Sequence, residues 1–236
     1  MTGDSSILKV ENLSKSFGKL IACKNITFSV DEGEIFGIAG PNGAGKTTLF
    51  NCISGLYRSS GKVFFRNINI SNFSADQVCH IGIARTFQIP LLFNSMSVYQ
   101  NIKIGAHFGQ KKPADEEQDI ENILDFLGIK NKKENNVSNL KLLDKKIVML
   151  AAALATKPKM LMLDEPMGGL SPSEIKYFIK IILELKNKLN ISMIIIEHLM
   201  KILVGLANRL MIIDNGEKIC IGLSNDVCKN RDVVKI

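Results

Sequence analysis

A glycine-rich segment between an apolar run and a helical pattern is the feature that most constrains the fold of this chain. The apolar run before it, EIFGIAG, is rich in β-forming residues. After it, apolar residues recur at helical spacing: Leu49, Phe50, Ile53 and Leu56. The segment itself fits the pattern G-x-x-x-x-G-K-[ST] over Gly40, Pro41, Asn42, Gly43, Ala44, Gly45, Lys46 and Thr47.

This pattern predicts a phosphate-binding loop. Its glycines allow successive backbone N–H groups to turn inward around phosphate oxygens, and the helix that follows adds its positive end. We expect Lys46 to reach the outer phosphates and the Thr47 hydroxyl to ligate Mg²⁺. The strand before the loop and the helix after it distinguish this reading from a chance glycine-rich turn.

Two carboxylates follow a second apolar segment. Residues 160–163 are continuously apolar, as expected of a strand buried on both faces, and Asp164 and Glu165 come directly after them. In open α/β folds, ligands bind at the carboxyl edge of the sheet, although adjacent acidic residues there can also be solvated turn residues. Asp164 suits a Mg²⁺-linked role, and Glu165 suits the polarisation of water for attack on a γ-phosphate.

His198 follows a third buried strand, predicted at residues 192–196, and Glu197 precedes it. A histidine in this place, taken alone, is more often structural. In one sheet with a phosphate loop and an acidic strand end, it lies where a γ-phosphate contact is expected.

The composition fits a folded chain of one or two domains. The 236 residues are 46% hydrophobic and 22% charged, which excludes a disordered chain. The net charge of +7 suits the binding of nucleic acid, an acidic membrane surface or nucleotide phosphates, and equally a lysine-rich solvated surface.

The longest apolar run, residues 147–155, is far shorter than the ~18–20 residues that cross a bilayer. If the protein acts at a membrane, we expect another chain to span it.

The cysteines are scattered, with no C-x-x-C pair and no metal-type spacing to a histidine. The N-terminus lacks the pattern of a secretory signal. We therefore expect a cytosolic protein with reduced, half-buried thiols at Cys23, Cys52, Cys79, Cys220 and Cys228.

The order of the patterns predicts a parallel α/β core interrupted by one helical insertion. Strand-like segments come first, and a further strand, KVFFRNINI, is expected at residues 62–70. From about residue 90 to residue 157 the pattern is helical, with an exposed loop expected from Gln110 to Asp119.

Alternating strands and helices then return. Ser171, Pro172 and Glu174 predict a helix start with a capping box, because serine can cap and proline suits the first helical position. Asn215-Gly216 predicts a hairpin turn. Behind the capping box, one apolar stripe is expected to face the core: Ile175, Phe178, Ile179, Ile182 and Leu185.

These motifs together resemble the ATP-binding subunits of ABC transporters, over essentially the whole chain. In that family the phosphate loop and the acidic strand end are Walker A and Walker B, and Glu165 matches the catalytic glutamate. His198 matches the switch histidine, and Gly169–Pro172 resembles the D-loop.

The resemblance adds three residues to the candidate site. Phe17, in KSFGK, matches the aromatic residue that stacks on adenine. Thr48 is expected near phosphate, and Gln88, in ARTFQ, matches the Q-loop glutamine that couples Mg²⁺ to the transmembrane subunits.

The resemblance also implies the architecture and the partners. We expect one ABC ATP-binding domain over residues 1–236, with an α/β P-loop NTPase core. That core and an N-terminal antiparallel β subdomain are expected at about 1–88 and 158–236, and a helical subdomain at about 89–157. ATP and Mg²⁺ are the implied ligands. Transmembrane permease subunits, a second ABC ATPase and, indirectly, a solute-binding protein are the implied partners, at the cytoplasmic face of the membrane, with no nucleic acid.

The segments GIARTFQ, LLFNSMSVYQNI and IIIEHLM resemble the ATPase subunits of branched-chain amino-acid permeases, of which urea and amide permeases are close relatives.

One motif departs from the family. A signature resembling L-S-G-G-Q is expected before Walker B, but Leu140–Asp144 reads LKLLD. Branched leucines block the close backbone approach that glycine permits. Ala152 also replaces the usual arginine.

Two main hypotheses follow. The first is a subunit that hydrolyses ATP to drive solute import through a permease, paired with a different ATPase because its own signature is altered. The second is a soluble ABC-type ATPase of repair, translation or cofactor assembly. That class would predict a second nucleotide domain, a long coiled coil or a zinc insertion, and none is visible in the sequence. A third possibility is a nucleotide-binding chain with little activity.

Overall fold

The computed structural model describes residues 6–109 and 116–227. Its strands are β1 (Ser6–Phe17), β2 (Leu20–Asp31), β3 (Ile35–Ala39), β4 (Ser60–Phe65), β5 (Ile68–Asn69), β6 (Ile83–Arg85), β7 (Met160–Asp164), β8 (Ser192–Ile196), β9 (Arg209–Asp214) and β10 (Glu217–Leu223). Its α-helices are α1 (Lys46–Ile53), α2 (Ala75–His80), α3 (Val98–Phe108), α4 (Glu116–Phe126), α5 (Leu142–Ala155), α6 (Pro172–Leu189), α7 (Met200–Leu206) and α8 (Ser224–Val227).

A six-stranded sheet forms the centre of the molecule, in the order β10-β9-β3-β8-β7-β6. Its strands pair in parallel except for β10, which pairs antiparallel with β9 at one edge. Every residue of β3, β7 and β8 is buried, as is typical of parallel strands covered on both faces. The Walker A loop, the Walker B carboxylates and His198 follow these three neighbouring strands, so they meet at one edge of the sheet.

A four-stranded antiparallel sheet, in the order β2-β1-β4-β5, packs against one face of the central sheet. Its apolar side chains form one continuous core with α1 and with alternate residues of the parallel strands. Phe28 of β2 stacks on Phe36 of β3, with ring centroids 5.3 Å apart and an interplanar angle of 11°. This contact ties the antiparallel sheet to the strand that carries the phosphate loop.

Helices α3, α4 and α5 lie between β6 and β7 in the chain and share a second core with the other face of the central sheet. Helices α3 and α5 approach closely at Gly105, where a Cβ atom would lie 2.1 Å from the backbone oxygen of Ala152. A larger residue at position 105 would therefore push the two helices apart. Within residues 6–109 and 116–227, no helix is long and apolar enough to cross a membrane.

The predicted fold class is confirmed: a parallel α/β core carries an antiparallel β subdomain and an inserted helical subdomain. The capping box at the start of α6 is also confirmed. The Ser171 hydroxyl accepts from the backbone N–H of Glu174, whose carboxylate accepts from the N–H of Ser171 at 2.8 Å. Asn215 and Gly216 form the predicted turn between β9 and β10.

The single strand predicted at residues 62–70 is wrong. The structure has two strands there, β4 and β5, which pair with each other as a hairpin. Arg66 and Asn67 turn the chain between them, with φ values of 48° and 65°. Two successive positive φ values match the twist of a tight hairpin turn, although neither residue is glycine.

The loop predicted from Gln110 to Asp119 is wrong in its described part. Residues 110–115 lie outside the described residues, but Glu116–Asp119 form the first turn of α4. The charges that favoured a solvated loop are acidic residues at a helix N-terminus, where the helix dipole stabilises negative charge.

Four cysteines are free thiols, as predicted, and Cys228 lies outside the described residues. Cys79 and Cys220 are partly buried, as predicted, but Cys23 and Cys52 are buried, so the predicted half-burial is wrong for these two. Burial raises the pKa of Cys23 to about 12. Its thiol is therefore a small apolar side chain beside the phosphate loop, 3.6 Å from the backbone oxygen of Gly45.

The apolar stripe of α6 generates a stability prediction. Ile182 is fully buried in the core shared with the sheet, whereas its neighbour Leu183 is 38% exposed. We expect Ile182→Ala to lower the free energy of unfolding by about 2–5 kcal/mol, because it removes buried methyl groups and leaves a cavity. Leu183→Ala is the matched control and is expected to cost much less. Denaturant unfolding of both variants measures the difference, and equal losses would contradict the assigned orientation of α6.

Candidate functional site

The phosphate loop follows β3 and leads into α1, and two of its glycines are required by crowding. Gly45 caps α1 with φ at 100°, and a Cβ atom there would lie 2.1 Å from the backbone oxygen of Ala22. Gly40 has φ at 149°, and a Cβ atom there would lie 1.9 Å from the backbone oxygen of Ile213. Side chains at either position would displace the loop from the strands that support it.

Main-chain hydrogen bonds join this loop to two other segments. The N–H of Gly216, in the β9–β10 turn, donates to the backbone oxygen of Ala44 at 3.0 Å. The N–H of Lys24, in β2, donates to the backbone oxygen of Gly216 at 2.8 Å. The loop, the turn and the antiparallel sheet therefore form one connected support.

The Lys46 side chain is buried inside the loop. Its ammonium group donates to the backbone oxygens of Gly40 and Pro41, each at 2.7 Å. Burial lowers the pKa of Lys46, while the carboxylates of Glu165 and Asp164 act in the opposite direction. The cation therefore lies between the loop and the acidic strand end, where phosphate oxygens would be stronger acceptors than carbonyls.

Glu165 is the residue around which the catalytic candidates meet. Its Oε2 accepts a hydrogen bond from Nε2 of Gln88, and its Oε1 lies 2.5 Å from Nε2 of His198. Its backbone has φ at 46°, a left-handed conformation that a non-glycine residue adopts only when its surroundings hold it. The structure thus brings together three residues that lie far apart in the sequence.

Lys146 is one of the groups that hold Glu165, and sequence reasoning missed it. This buried lysine of α5 donates to the backbone oxygen of Glu165 at 3.1 Å and to that of Gln88 at 3.2 Å. In the sequence it is the last of three charged residues, Asp144-Lys145-Lys146, directly before the apolar run at 147–155, so nothing marks it as buried. Burial lowers the pKa of Lys146, and the nearby Glu197 and Glu165 oppose that effect.

Asp164 has a partner that sequence reasoning also missed. Arg85, at the end of β6, donates from one terminal nitrogen to Oδ2 of Asp164 at 2.9 Å. Burial raises the pKa of Asp164, and the Arg85 guanidinium acts to lower it. Oδ1 of Asp164 is buried and has no hydrogen-bond partner among the described residues.

The candidate site residues other than Asp164 line two neighbouring cavities. The larger, of about 730 Å³, is a typical size for a small-molecule site and is lined by Phe17, Leu20, Ile21, Ala22, Asn42, Gly43, Ala44, Gly45, Lys46, Thr47, Thr48, Gln88, Glu165 and Asn215. The smaller, of about 330 Å³, contains Gly40, Pro41 and His198. The two meet at Asn42, which lines both, and at the contact between His198 and Glu165.

Phe17 lies at the edge of the larger cavity rather than in a core. Its side chain is 44% exposed, and its ring makes an edge contact with Tyr57 at a centroid distance of 5.4 Å. The Lys15 ammonium lies 5.0 Å from the Phe17 ring centroid. An exposed aromatic face beside a phosphate loop can stack on a nucleotide base.

The predicted Mg²⁺ ligands suit a metal that is shared with phosphates. No cluster of three or more His, Cys, Asp or Glu side chains in the described ranges could hold a metal ion alone. Mg²⁺ at nucleotide sites is usually held by one or two carboxylates together with substrate phosphates and water. The unpartnered Oδ1 of Asp164 is the kind of buried oxygen that a cation satisfies, and Thr47 is exposed at the start of α1.

The altered signature segment lies apart from both cavities, none of whose lining residues belongs to Leu140–Asp144. Lys141 is the N-cap of α5 but makes no side-chain capping hydrogen bond. Leu142 is exposed, and Asp144 pairs with Lys132 at 2.5 Å. The segment therefore presents a lysine and a leucine where the signature would present a serine and glycines.

Comparison with known proteins identifies the family. A family model described as ABC transporter matches residues 23–168, more than half of the chain. The chain belongs to the ABC transporter family. It is 33% identical to the high-affinity branched-chain amino acid transport ATP-binding protein LivG of Salmonella typhimurium, over 97% of this chain and 96% of that protein.

Two further relatives of this ABC-family chain cover almost its whole length. The probable branched-chain amino acid transport ATP-binding protein LivG of Methanocaldococcus jannaschii is 34% identical, over 98% of this chain and 95% of that one. A crystal structure of an ATP-binding cassette of an ABC transporter in its ADP conformation superposes with a TM-score of 0.90 at 32% identity. That match covers 98% of this chain and 97% of the other.

The position of Lys46 predicts its contribution to nucleotide affinity. We expect Lys46→Ala to weaken ATP binding on the order of 100-fold, because it removes the cation that faces the outer phosphates. Lys24→Ala, at an exposed lysine paired with Glu217, is the control and is expected to bind as the unaltered chain does. Equilibrium titration with ATP measures both. Retained micromolar affinity with intact Mg²⁺ dependence in Lys46→Ala would contradict the assignment.

Proposed function

We propose that this chain is the ATP-binding and ATP-hydrolysing subunit that energises a membrane permease importing a small solute, with branched-chain amino acids as the solute class. The observation that carries the proposal is the Glu165 carboxylate, held by Gln88 and His198 beside a phosphate loop. The names of the relatives, which are transport ATP-binding proteins, support a permease partner over the soluble alternative.

In this proposal the loop and α1 bind the nucleotide. Backbone N–H groups of the loop and the Lys46 ammonium contact the phosphates, and Phe17 stacks on the adenine. Asp164, Thr47 and Gln88 hold Mg²⁺, which when bound neutralises phosphate charge. Each group lies within or next to the larger cavity.

Glu165 then acts on water. As a carboxylate it accepts a proton from the water that attacks the γ-phosphate. Gln88 and His198 each contact one of its oxygens, so the carboxylate is fixed before the reaction begins. His198 also contacts the γ-phosphate in this proposal, since it lies beside Gly40 and Pro41 of the loop.

A surface next to Gln88 is suited to a permease. Ile89, Leu91 and Phe93 follow Gln88 and expose most of their apolar side chains. Leu91 also lines an apolar groove of about 290 Å³ between α2, β6 and α5. Contiguous exposed apolar surface is typical of protein–protein contacts. The permease would hold this subunit at the cytoplasmic face of the membrane. A solute-binding protein would deliver the solute to the permease on the opposite face.

The signature segment supports a heterodimer. In this family each ATP lies between the Walker residues of one subunit and the signature of the other. A homodimer of this chain would place Lys141 and Leu142 at both sites, without the serine and glycine donors. We therefore propose a second ABC ATPase with an intact signature as its partner.

The role of Glu165 has a direct test in the complete transporter assembly. We expect Glu165→Gln to keep ATP binding and to slow hydrolysis by roughly 100- to 10,000-fold, because the amide keeps the shape and loses the basicity. Glu184→Gln, at a partly exposed residue of α6 that pairs with Lys188, is the control and is expected to hydrolyse ATP at the unaltered rate. ATP affinity and steady-state phosphate release are the measurements. An unaltered rate in Glu165→Gln would reject this residue as the base and make His198 the next candidate.

The heterodimer has a separate test. We expect the purified chain alone to hydrolyse ATP slowly, on the order of 100-fold below its mixture with the partner ATPase, because each homodimeric site lacks several phosphate donors. A variant with LSGGQ at residues 140–144 should raise the rate of the chain alone. Fast, cooperative hydrolysis by the unaltered chain alone would show that LKLLD works as a signature.

A further inference from the structure

We propose that Arg85 is a positioning residue for the magnesium site: it fixes the Asp164 carboxylate through one oxygen and leaves the other for the metal. Arg85 belongs to the ARTFQ segment that carries Gln88, but the family resemblance assigns a role in that segment to Gln88 alone. The inference rests on the proposal that Asp164 and Thr47 hold Mg²⁺.

The Arg85 side chain is buried, and both of its terminal nitrogens make hydrogen bonds, whereas its Nε has no partner among the described residues. Its side chain is 6% exposed and that of Asp164 is 3% exposed. One terminal nitrogen donates to Oδ2 of Asp164 at 2.9 Å. The other donates to Oδ1 of Asn51 at 2.5 Å and to the hydroxyl of Ser54 at 3.2 Å.

Two aromatic rings hold the guanidinium group in place. Its central carbon lies 5.4 Å from the ring centroid of Phe50 and 4.9 Å from that of Phe87. A planar guanidinium both stacks on rings and donates in fixed directions, which an ammonium group cannot do. The direction of the bond to Asp164 is therefore set by several independent contacts.

The charge balance around Asp164 depends on this contact. A buried carboxylate without a partner is strongly destabilising. Among the described residues, Arg85 is the cation that hydrogen-bonds to Asp164. The other nearby cation, the Lys46 ammonium, donates to backbone oxygens of the loop instead. With Oδ2 taken by Arg85, the buried Oδ1 is the free oxygen, which suits a single-oxygen contact to Mg²⁺.

Arg85 also connects the two elements that carry the proposed metal ligands. Thr47 is the second residue of α1, and Asn51 lies one turn further along the same helix. Asp164 is the last residue of β7, next to β6 in the sheet. By bonding to Asn51 and Asp164 together, Arg85 holds α1 and β7 at a fixed separation, and Mg²⁺ demands such precise geometry.

The test measures the Mg²⁺ requirement of ATP binding by the full chain, at a series of Mg²⁺ concentrations and in excess EDTA. We expect Arg85→Met to keep the affinity seen in EDTA within about threefold, and to need on the order of tenfold more Mg²⁺ for the half-maximal gain in affinity. Arg85→Lys should lie between, because its ammonium can reach Asp164 but cannot also bridge to Asn51 and Ser54.

Arg209→Met is the matched control. Arg209 makes an ion pair with Glu34 through two hydrogen bonds, at 2.7 and 2.8 Å, but lies outside both cavities of the site. We expect this variant to lose stability and to keep the unaltered Mg²⁺ requirement. Thermal unfolding of every variant separates a loss of stability from a loss of metal response.

The outcomes are distinguishable. If the unaltered chain binds ATP equally well in EDTA, the magnesium site is wrong and the role of Arg85 falls with it. If the unaltered chain responds to Mg²⁺ and Arg85→Met responds identically, the magnesium site stands and the role of Arg85 is rejected. An equal loss of affinity with and without Mg²⁺ would also reject it, as a purely structural effect. Should Arg85→Met fail to fold, an unaltered Mg²⁺ requirement in Arg85→Lys rejects the proposal.

Discussion

Two adjacent carboxylates are buried at the end of β7, and their need for partners organises the residues around them. Removing a carboxylate from water is costly unless cations or hydrogen-bond donors replace the lost solvent. Asp164 takes a guanidinium from the neighbouring strand, and Glu165 takes an amide and an imidazole from two separate loops. The segments that supply these donors are thereby held at one edge of the sheet, which makes the site a product of charge burial as much as of sheet topology.

The backbone at Glu165 adds a second requirement. Its left-handed conformation is maintained by its N–H bond to the backbone oxygen of Ile196 and by the Lys146 ammonium at its carbonyl. Lys146 belongs to α5, the helix that begins in the signature segment. The Lys146 side chain therefore connects the helical subdomain, the Gln88 segment and the Walker B turn. A movement of α5 would shift the backbone of Glu165 through this contact.

The sequence predicts those parts of the site that depend on local spacing. A phosphate loop needs its glycines and lysine at fixed separations within one turn, so the pattern specifies the structure by itself. Arg85 and Lys146 could not be predicted in this way, because their roles require knowing that β6 pairs with β7 and that α5 packs beneath the Walker B turn. The turn at Arg66-Asn67 was missed for a different reason: Asn67 is a residue type that favours positive φ, but Arg66 is not and neither residue is glycine, so the local turn signal is weak.

The main-chain bonds between the phosphate loop, the β9–β10 turn and β2 bear on how this protein can change over time. Because Lys24, Ala44 and Gly216 make these bonds with backbone atoms, replacement of the side chains at positions 24 and 44 does not remove them. Amino-acid substitutions at these two positions therefore leave the main-chain support of the nucleotide cavity in place. The family's signature depends instead on a serine and glycines at a helix start, and Leu140–Asp144 contains neither. In the proposed heterodimer, the two halves of each composite site can therefore diverge at different rates, so that a chain loses the half it offers to a partner while keeping the half it uses itself.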